Sequence, residues 1–176
     1  MKNILLIIGS ASVQSANHTL AQYIKTNTST RLNVTLFDKL TELPHFVPEL
    51  SSENTPKEIV NFRNLVDDSD GVLILTPEYI FSIPSGLKNA FEWCVSTTIF
   101  ADKPMGLITA SASGEKGHEE LMLIAQTLMA KFIPETTVLI NGVKGRIDQT
   151  TNEIEIKTKR VLDQFILDFT KLLERE

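Results

Sequence analysis

Cysteine is nearly absent from this chain: Cys94 is the single one in 176 residues, so no disulfide can close within it. That excludes a disulfide-stapled scaffold and makes a reducing cytoplasm the expected location. No stretch approaches the roughly 20 consecutive apolar residues that a membrane-spanning helix needs. The N-terminal apolar run from Ile4 to Ile8 is too short for a signal peptide. Runs of lysine and arginine are also missing, and a net charge of -5 without a basic stripe excludes the electrostatic footprint of a nucleic-acid or anionic-membrane binder. Neither G-x-x-x-x-G-K-[ST] nor G-x-G-x-x-G occurs, which removes the Walker loop and the dinucleotide fingerprint. His18, His45 and His118 lie on three separate segments without metal-ligand spacing, so capping or exposed roles are expected and no metal is assigned.

What remains is an ordinary globular composition, 42% hydrophobic and 22% charged, in a chain long enough for one well-buried core, read as one domain over 1–176. Asn3 to Ile8 is a short apolar run without alternation that stops at Gly9-Ser10, as expected of a strand covered on both faces. A helix follows from Asn17 to about Lys25, with Leu20, Tyr23 and Ile24 at helical spacing behind Ser and Asn residues able to cap it. Leu32 to Phe37 alternates, predicting an outer strand with one partly wet face. The proline-bearing stretch Asp38 to Pro56 predicts a largely irregular, exposed connection. Thereafter helix and strand alternate: a helix over 57–66, a buried strand over 71–75, a helix over 84–96, a strand over 105–108, a helix over 119–131, a strand over 137–140, and a long amphipathic helix over 154–173. Five short strands separated by helices imply right-handed crossovers and an open parallel sheet with helices on both faces.

Ligands of such sheets bind beyond the carboxyl ends of the strands, near the point where strand order reverses. Three loops meet that description. The first, Gly9-Ser10-Ala11-Ser12-Val13-Gln14-Ser15-Ala16-Asn17, runs from the first strand into a helix N-terminus, where unpaired backbone donors and partial positive charge can hold a phosphate. The bland reading is a turn that only caps its helix. The second, Thr76 to Pro84, offers Tyr79, Ile80 and Phe81 as flat or apolar surface on a backbone stiffened by Pro77 and Pro84. Spacing alone leaves that reading level with a capping turn whose aromatics pack inward. The third, Ser111 to Gly117, holds two glycines that permit close backbone approach to a ligand.

Together these loops resemble the NAD(P)H-dependent FMN reductase family, the flavodoxin-like group of quinone, azo-dye and chromate reductases. The most specific part, T-P-E-Y-I-F-S-I-P-S-G-L-K-N-A-F-E-W from Thr76 to Trp93, is similar to the family's T-P-E-Y-N-x-S-x-P-x-x-L-K-N-A-x-D-W. The first loop is similar to G-S-x-R-x-x-S-x-N, with Gly9, Ser10, Ser15 and Asn17 in register and Ser12 where arginine is usual. Leu43-Pro44 and Pro48 resemble the family's L-P-L-(Y/F)-x-P-D/E segment. Ile80 replaces the asparagine of P-E-Y-N, and the third loop keeps its glycines only as Gly114 and Gly117.

The resemblance implies a flavodoxin-like three-layer α/β sandwich with a five-stranded parallel sheet in the order 2-1-3-4-5. It implies FMN as cofactor, NADPH or NADH as electron donor, and a homodimer or homotetramer with flavin near the subunit interface. Carried over by position, Ser10, Ser15 and Asn17 would hold the FMN phosphate, with Ser12 and Ala16 beside them in the same cofactor-binding loop. Pro77, Glu78, Tyr79 and Ile80 would frame the isoalloxazine ring, and Ser111 with Gly114 would complete the pocket. No catalytic side chain is expected, because the chemistry belongs to the flavin. The expected cycle has two strokes: NAD(P)H reduces FMN and departs, and the same face then yields to a quinone, azo compound, free flavin or metal oxyanion. Lys116, the one cation of the third loop, is a candidate for a nicotinamide cofactor's phosphate. Cys94, behind Trp93 in an apolar segment, reads as a small core residue. Two alternatives stand beside this: a non-enzymatic flavodoxin-type carrier, and a receiver-like domain. The receiver lacks its acidic residues, since Gly9-Ser10 and Thr76-Pro77 occupy their places.

Overall fold

In the computed structural model, residues 1–12, 15–28, 30–148 and 150–174 are described; Val13 and Gln14 of the first loop lie outside them. The chain runs β1 (Lys2–Ile8), α1 (Ala16–Thr28), β2 (Leu32–Phe37), α2 (Lys57–Asp67), β3 (Gly71–Thr76), α3 (Ser85–Glu92), β4 (Met105–Ala110), α4 (Glu115–Thr127), β5 (Thr137–Ile140) and α5 (Ile156–Leu173). All four strand pairs are parallel, and the sheet order is β2-β1-β3-β4-β5, as the resemblance implies. Parallel neighbours need crossovers, and the helices supply them on both faces. Leu20, Ile24, Leu162, Phe165 and Phe169 of α1 and α5 bury one face with Ile4, Leu6, Leu73 and Ile108. Ile59, Phe62, Leu87, Phe91 and Leu121 of α2, α3 and α4 bury the other with Leu5, Ile7, Val72 and Ile74. This is why β1, β3 and β4 read as unbroken apolar runs: their side chains meet helices above and below. β2, at the sheet edge, alternates.

Three helix boundaries are corrected, and the 38–56 connection is refined. It is largely irregular and mostly exposed, as expected, but contains short 3-10 turns at Leu40–Glu42 and Pro48–Leu50, and Leu40 and Leu43 are buried. Side chains from α3 and the turn after it hold it down. Pro44 O accepts from Asn89 Nδ2 at 2.9 Å and Trp93 Nε1 at 2.8 Å, and Asn89 Oδ1 accepts from Phe46 N at 2.8 Å. The helix expected to reach residue 96 ends at Glu92; the carbonyl of Trp93 faces the Arg63 guanidinium instead of continuing a helix. The helix expected over 119–131 runs over 115–127, because Met129 turns left-handed at φ 59° and Lys131 is drawn into the sheet beside Pro104. The last helix begins at Ile156, since Ile154 bridges Ile147 in an antiparallel contact.

Candidate functional site

Strand order reverses between β1 and β3, and there the first loop begins with Gly9, whose N donates to Leu75 O at 2.8 Å. A Cβ on Gly9 would lie 2.3 Å from Thr76 Oγ1 and 2.7 Å from Thr76 Cβ, so only glycine lets the two strands end this close together. Ser10 is buried beside it, and its Oγ accepts from Ser12 N at 3.2 Å, folding the loop back on itself. Ser15 Oγ accepts from His18 N at 3.4 Å, three residues on, in the N-cap pattern of α1. Asn17 crosses from α1 to the end of β4, its Nδ2 donating to Ala110 O at 3.2 Å. Its Oδ1 is buried with no hydrogen-bond partner among the described residues, in a side chain only 3% exposed. A buried acceptor left open in this way suits a ligand carrying hydroxyl donors, and the polyol chain of FMN carries them.

The second loop is a tight hairpin. Tyr79 and Ser82 exchange both backbone hydrogen bonds, at 2.9 and 3.1 Å, with Ile80 at φ 51° and Phe81 at φ 59° between them. Two consecutive left-handed residues in a two-residue loop make a type I′ turn, a place for Asn and Gly. Its side chains do not pack inward: Tyr79 is 44%, Phe81 74% and Ile80 95% exposed. The tip is an apolar surface.

Two carboxylates tie this hairpin to α4. Glu78 accepts from Gly117 N at 2.8 Å and Gly114 N at 3.3 Å, so its charge fills the amide-rich start of α4. Glu120 Oε2 accepts from Ser82 Oγ at 2.5 Å and Ile83 N at 3.1 Å. Gly117 makes the approach possible, since a Cβ there would meet Glu78 Cβ and Cγ at 3.1 Å and Ser82 O at 3.3 Å. The third loop is therefore shorter than the 111–117 stretch suggests: it spans Ser111 to Gly114, with Gly114 left-handed at φ 95° and Glu115 already helical. Ser111 Oγ donates to Glu78 O at 3.4 Å. The structure thus brings Ser10, Ser12, Ser15, Ala16 and Asn17 to the end of β1, and Pro77, Glu78, Tyr79 and Ile80 to the end of β3. Ser111 and Gly114 stand at the end of β4, joined to the first group through Asn17 and to the second through Glu78. Lys116 stands in the first turn of α4 with Nζ 2.7 Å from Glu119.

Three side chains of this region escaped the sequence reading. Glu120 has no local signature, because the hairpin it holds lies 37 residues earlier in the chain. His118 is buried, not exposed, with Nδ1 2.9 Å from Thr109 Oγ1, and burial holds its imidazole below the usual range. His18 bonds Ser15; its place directly after the S-x-N of the first loop was the available signal. Cys94 is buried as expected, its thiol pushed up to about 12 by desolvation despite the opposing pull of Arg63. Among the described residues no group of His, Cys, Asp and Glu could hold a metal ion, and no helix is long and apolar enough to cross a membrane.

A family model described as NADPH-dependent FMN reductase matches residues 2–145. The chain belongs to this family. It is 28% identical to the NADH:(hydroxy)cinnamate reductase subunit CrdA of Vibrio ruber, over 98% of this chain and 87% of that one. To a quinone reductase of Escherichia coli it is 27% identical, over 94% of this chain and 87% of the other. Among solved structures, the flavoenzyme NAD(P)H:(acceptor) oxidoreductase FerB of Paracoccus denitrificans superposes with a TM-score of 0.80 at 22% identity, covering 99% of this chain and 98% of that one. As an FMN reductase family member the chain is an oxidoreductase with FMN as cofactor and NAD(P)H as electron donor.

Proposed function

We propose that this FMN reductase holds the FMN phosphate on the first loop at Ser10, Ser12, Ser15 and Ala16, with the Asn17 side-chain carbonyl oxygen taking the adjoining polyol, and lodges the isoalloxazine ring against Pro77, Glu78, Tyr79 and Ile80. Ser111 and Gly114 close the pocket, and the acceptor is a small molecule: a quinone, azo compound, free flavin or metal oxyanion. The observation that carries this reading is the hydrogen-bonded union of the three loops at the strand-order reversal, through Gly9, Asn17 and Glu78. When bound, FMN supplies the two-electron chemistry between nicotinamide and acceptor. The protein would orient and shield it: the N-terminal amides of α1 would meet the anion, the rigid turn would present backbone to the ring, and exposed Tyr79 and Phe81 would offer aromatic surface to an arriving planar acceptor. Glu78 is spent on α4, which supports a framing role over proton transfer.

The unit is read as a single domain, a cytoplasmic homodimer or homotetramer. The lone buried cysteine and the apolar hairpin tip support that reading. The visible spectrum of the purified protein, recorded before and after anaerobic NADPH, is the decisive experiment: a flavin spectrum that bleaches is expected. A colourless fold that refuses micromolar FMN would refute the site. A spectrum that NAD(P)H leaves unchanged, but a protein partner bleaches, would favour the carrier. Parallel initial-rate lines are expected for donor and acceptor sharing one face. Replacing Lys116 by Ala tests whether it reads a nicotinamide cofactor's phosphate, through the ratio of NADPH to NADH efficiency.

A further inference from the structure

A bound phosphate monoester approaches two negative charges at neutral pH, yet the first loop offers it no fixed cation. From Asn3 to Ile24 the sequence contains no Lys, Arg, Asp or Glu, and His18 is the one side chain in that span able to carry positive charge. Its position is specific. Nδ1 lies 3.0 Å from Ser15 Oγ, and Nε2 lies 3.9 Å from Asp38 Oδ2, just beyond β2. The ring is mostly buried, its side chain 18% exposed, and Nε2 is shielded from solvent with no hydrogen-bond partner among the described residues.

We propose that His18, oriented by Asp38, is a positioning residue that sets which way the Ser15 hydroxyl points its proton, and so makes FMN binding depend on pH. This rests on the reading that the first loop holds the FMN phosphate.

Ser15, His18 and Asp38 share few protons among them. In the neutral imidazole the carboxylate facing Nε2 favours a proton on that nitrogen, which leaves Nδ1 an acceptor. Ser15 then gives its one hydroxyl hydrogen to His18 and turns lone pairs toward the loop, where they repel an anion. Taking up one proton from solvent, the ring carries hydrogens on both nitrogens. Nδ1–H now donates to Ser15 Oγ, the hydroxyl hydrogen is released toward the phosphate, and a positive charge stands behind it. Phosphate and protonated His18 each favour the other, so FMN binding through the phosphate takes up a proton wherever the imidazole is neutral in the free protein.

The groups around the ring are few. From α1 come Ser15 and the helix amides, and from the end of β2 comes Asp38. Across the groove that His18 lines, Glu153 and Lys159 face each other at 3.7 Å, and Asp163 accepts from Tyr23 Oη at 2.9 Å.

The test is the Kd of FMN for the apoprotein, read by flavin fluorescence from about pH 5.5 to 8.5, where imidazoles titrate. Riboflavin serves as the probe without phosphate. In the wild type the FMN affinity relative to His18→Gln should fall about tenfold across that range, the size of one charge-assisted hydrogen bond. The ratio between the two proteins cancels the phosphate's own second ionisation, and riboflavin affinity should show no such difference. Asp38→Asn should move the midpoint of the fall to lower pH. A His18→Gln profile that overlays the wild type, with FMN still preferred over riboflavin, overturns the inference alone. Equal affinities for FMN and riboflavin at every pH remove the phosphate from the loop and overturn the reading beneath it. If His18→Gln fails to fold, the imidazole proton resonances of the wild type decide: FMN must raise the titration midpoint of His18 and riboflavin must not, and an unmoved midpoint overturns the inference.

Discussion

Replacing Ile80 with asparagine should stabilise the protein, against the usual direction for removing a hydrophobic side chain. Ile80 and Phe81 occupy the two central positions of a type I′ turn at φ 51° and 59°. A left-handed conformation costs an L-residue about 1–2 kcal/mol, and a β-branched side chain is among the least tolerant of it. Ordinarily burial would offset this, but Ile80 is 95% exposed, so the substitution forfeits almost no buried area. The turn persists because its neighbours hold it: Tyr79 and Ser82 pair through both backbone bonds, and Glu120 grips Ser82 and Ile83. Asparagine adopts the left-handed region readily, so Ile80→Asn should gain about 1 kcal/mol, which in a domain of this size raises Tm by roughly 2–4 °C. Ile80→Gly relieves the same strain but restores about 0.5–1 kcal/mol of chain entropy to the unfolded state, so its gain should be smaller. Ile80→Val keeps the branch and should change little. Thermal unfolding of the dilute apoprotein measures all three. An asparagine variant no more stable than the wild type would show that the turn is not strained at this position.

Three further outcomes follow from contacts at the site. Gly9→Ala pushes a methyl into Thr76, 2.3 Å from its hydroxyl; overpacking of this kind costs about 1–3 kcal/mol, and because the clash parts β1 from β3 at the proposed cofactor site, FMN affinity should fall alongside chemical-denaturation stability. Glu78→Ala leaves the Gly114 and Gly117 amides without their carboxylate and should cost about 2 kcal/mol, with hydrogen exchange quickening at both glycines; Glu78→Gln, which retains an acceptor, should lose about half as much. His118 is held below the ordinary imidazole range by burial, so the folded state binds fewer protons than the unfolded one as pH drops. Its contribution is complete above the unfolded value near 6.5 and is lost as pH falls through the lower folded value. Replacing His118 with Gln should flatten the stability profile in that acidic window, and an unchanged urea-unfolding profile would exclude it as the source.

Local pattern was enough to recover most of the architecture. Unbroken apolar runs at Ile4 to Ile8 and Val72 to Leu75 could only be strands covered on both faces, and the alternation over Leu32 to Phe37 marked the edge. The loops leaving β1, β3 and β4 were identifiable because a doubly wound sheet has one place to bind ligands, and the Thr76 to Trp93 motif is long enough to name. The α4 boundary was not legible. Ser113-Gly114-Glu115-Lys116-Gly117 reads as a loop because glycine inside a helix costs about 1 kcal/mol, yet Gly117 is helical here since the Glu78 side chain needs the space a Cβ would take. Nor could sequence spacing reveal that Glu120 grips a turn 37 residues earlier, or that Asp38 stands behind His18. Periodicity and turn chemistry are written in neighbouring residues, so the chain alone determined its strands, its helices and the candidate loops at their ends. Which carboxylate fills which helix start, and which histidine faces which acid, depends on groups that meet only after the crossovers have packed, and that the tertiary structure alone decided.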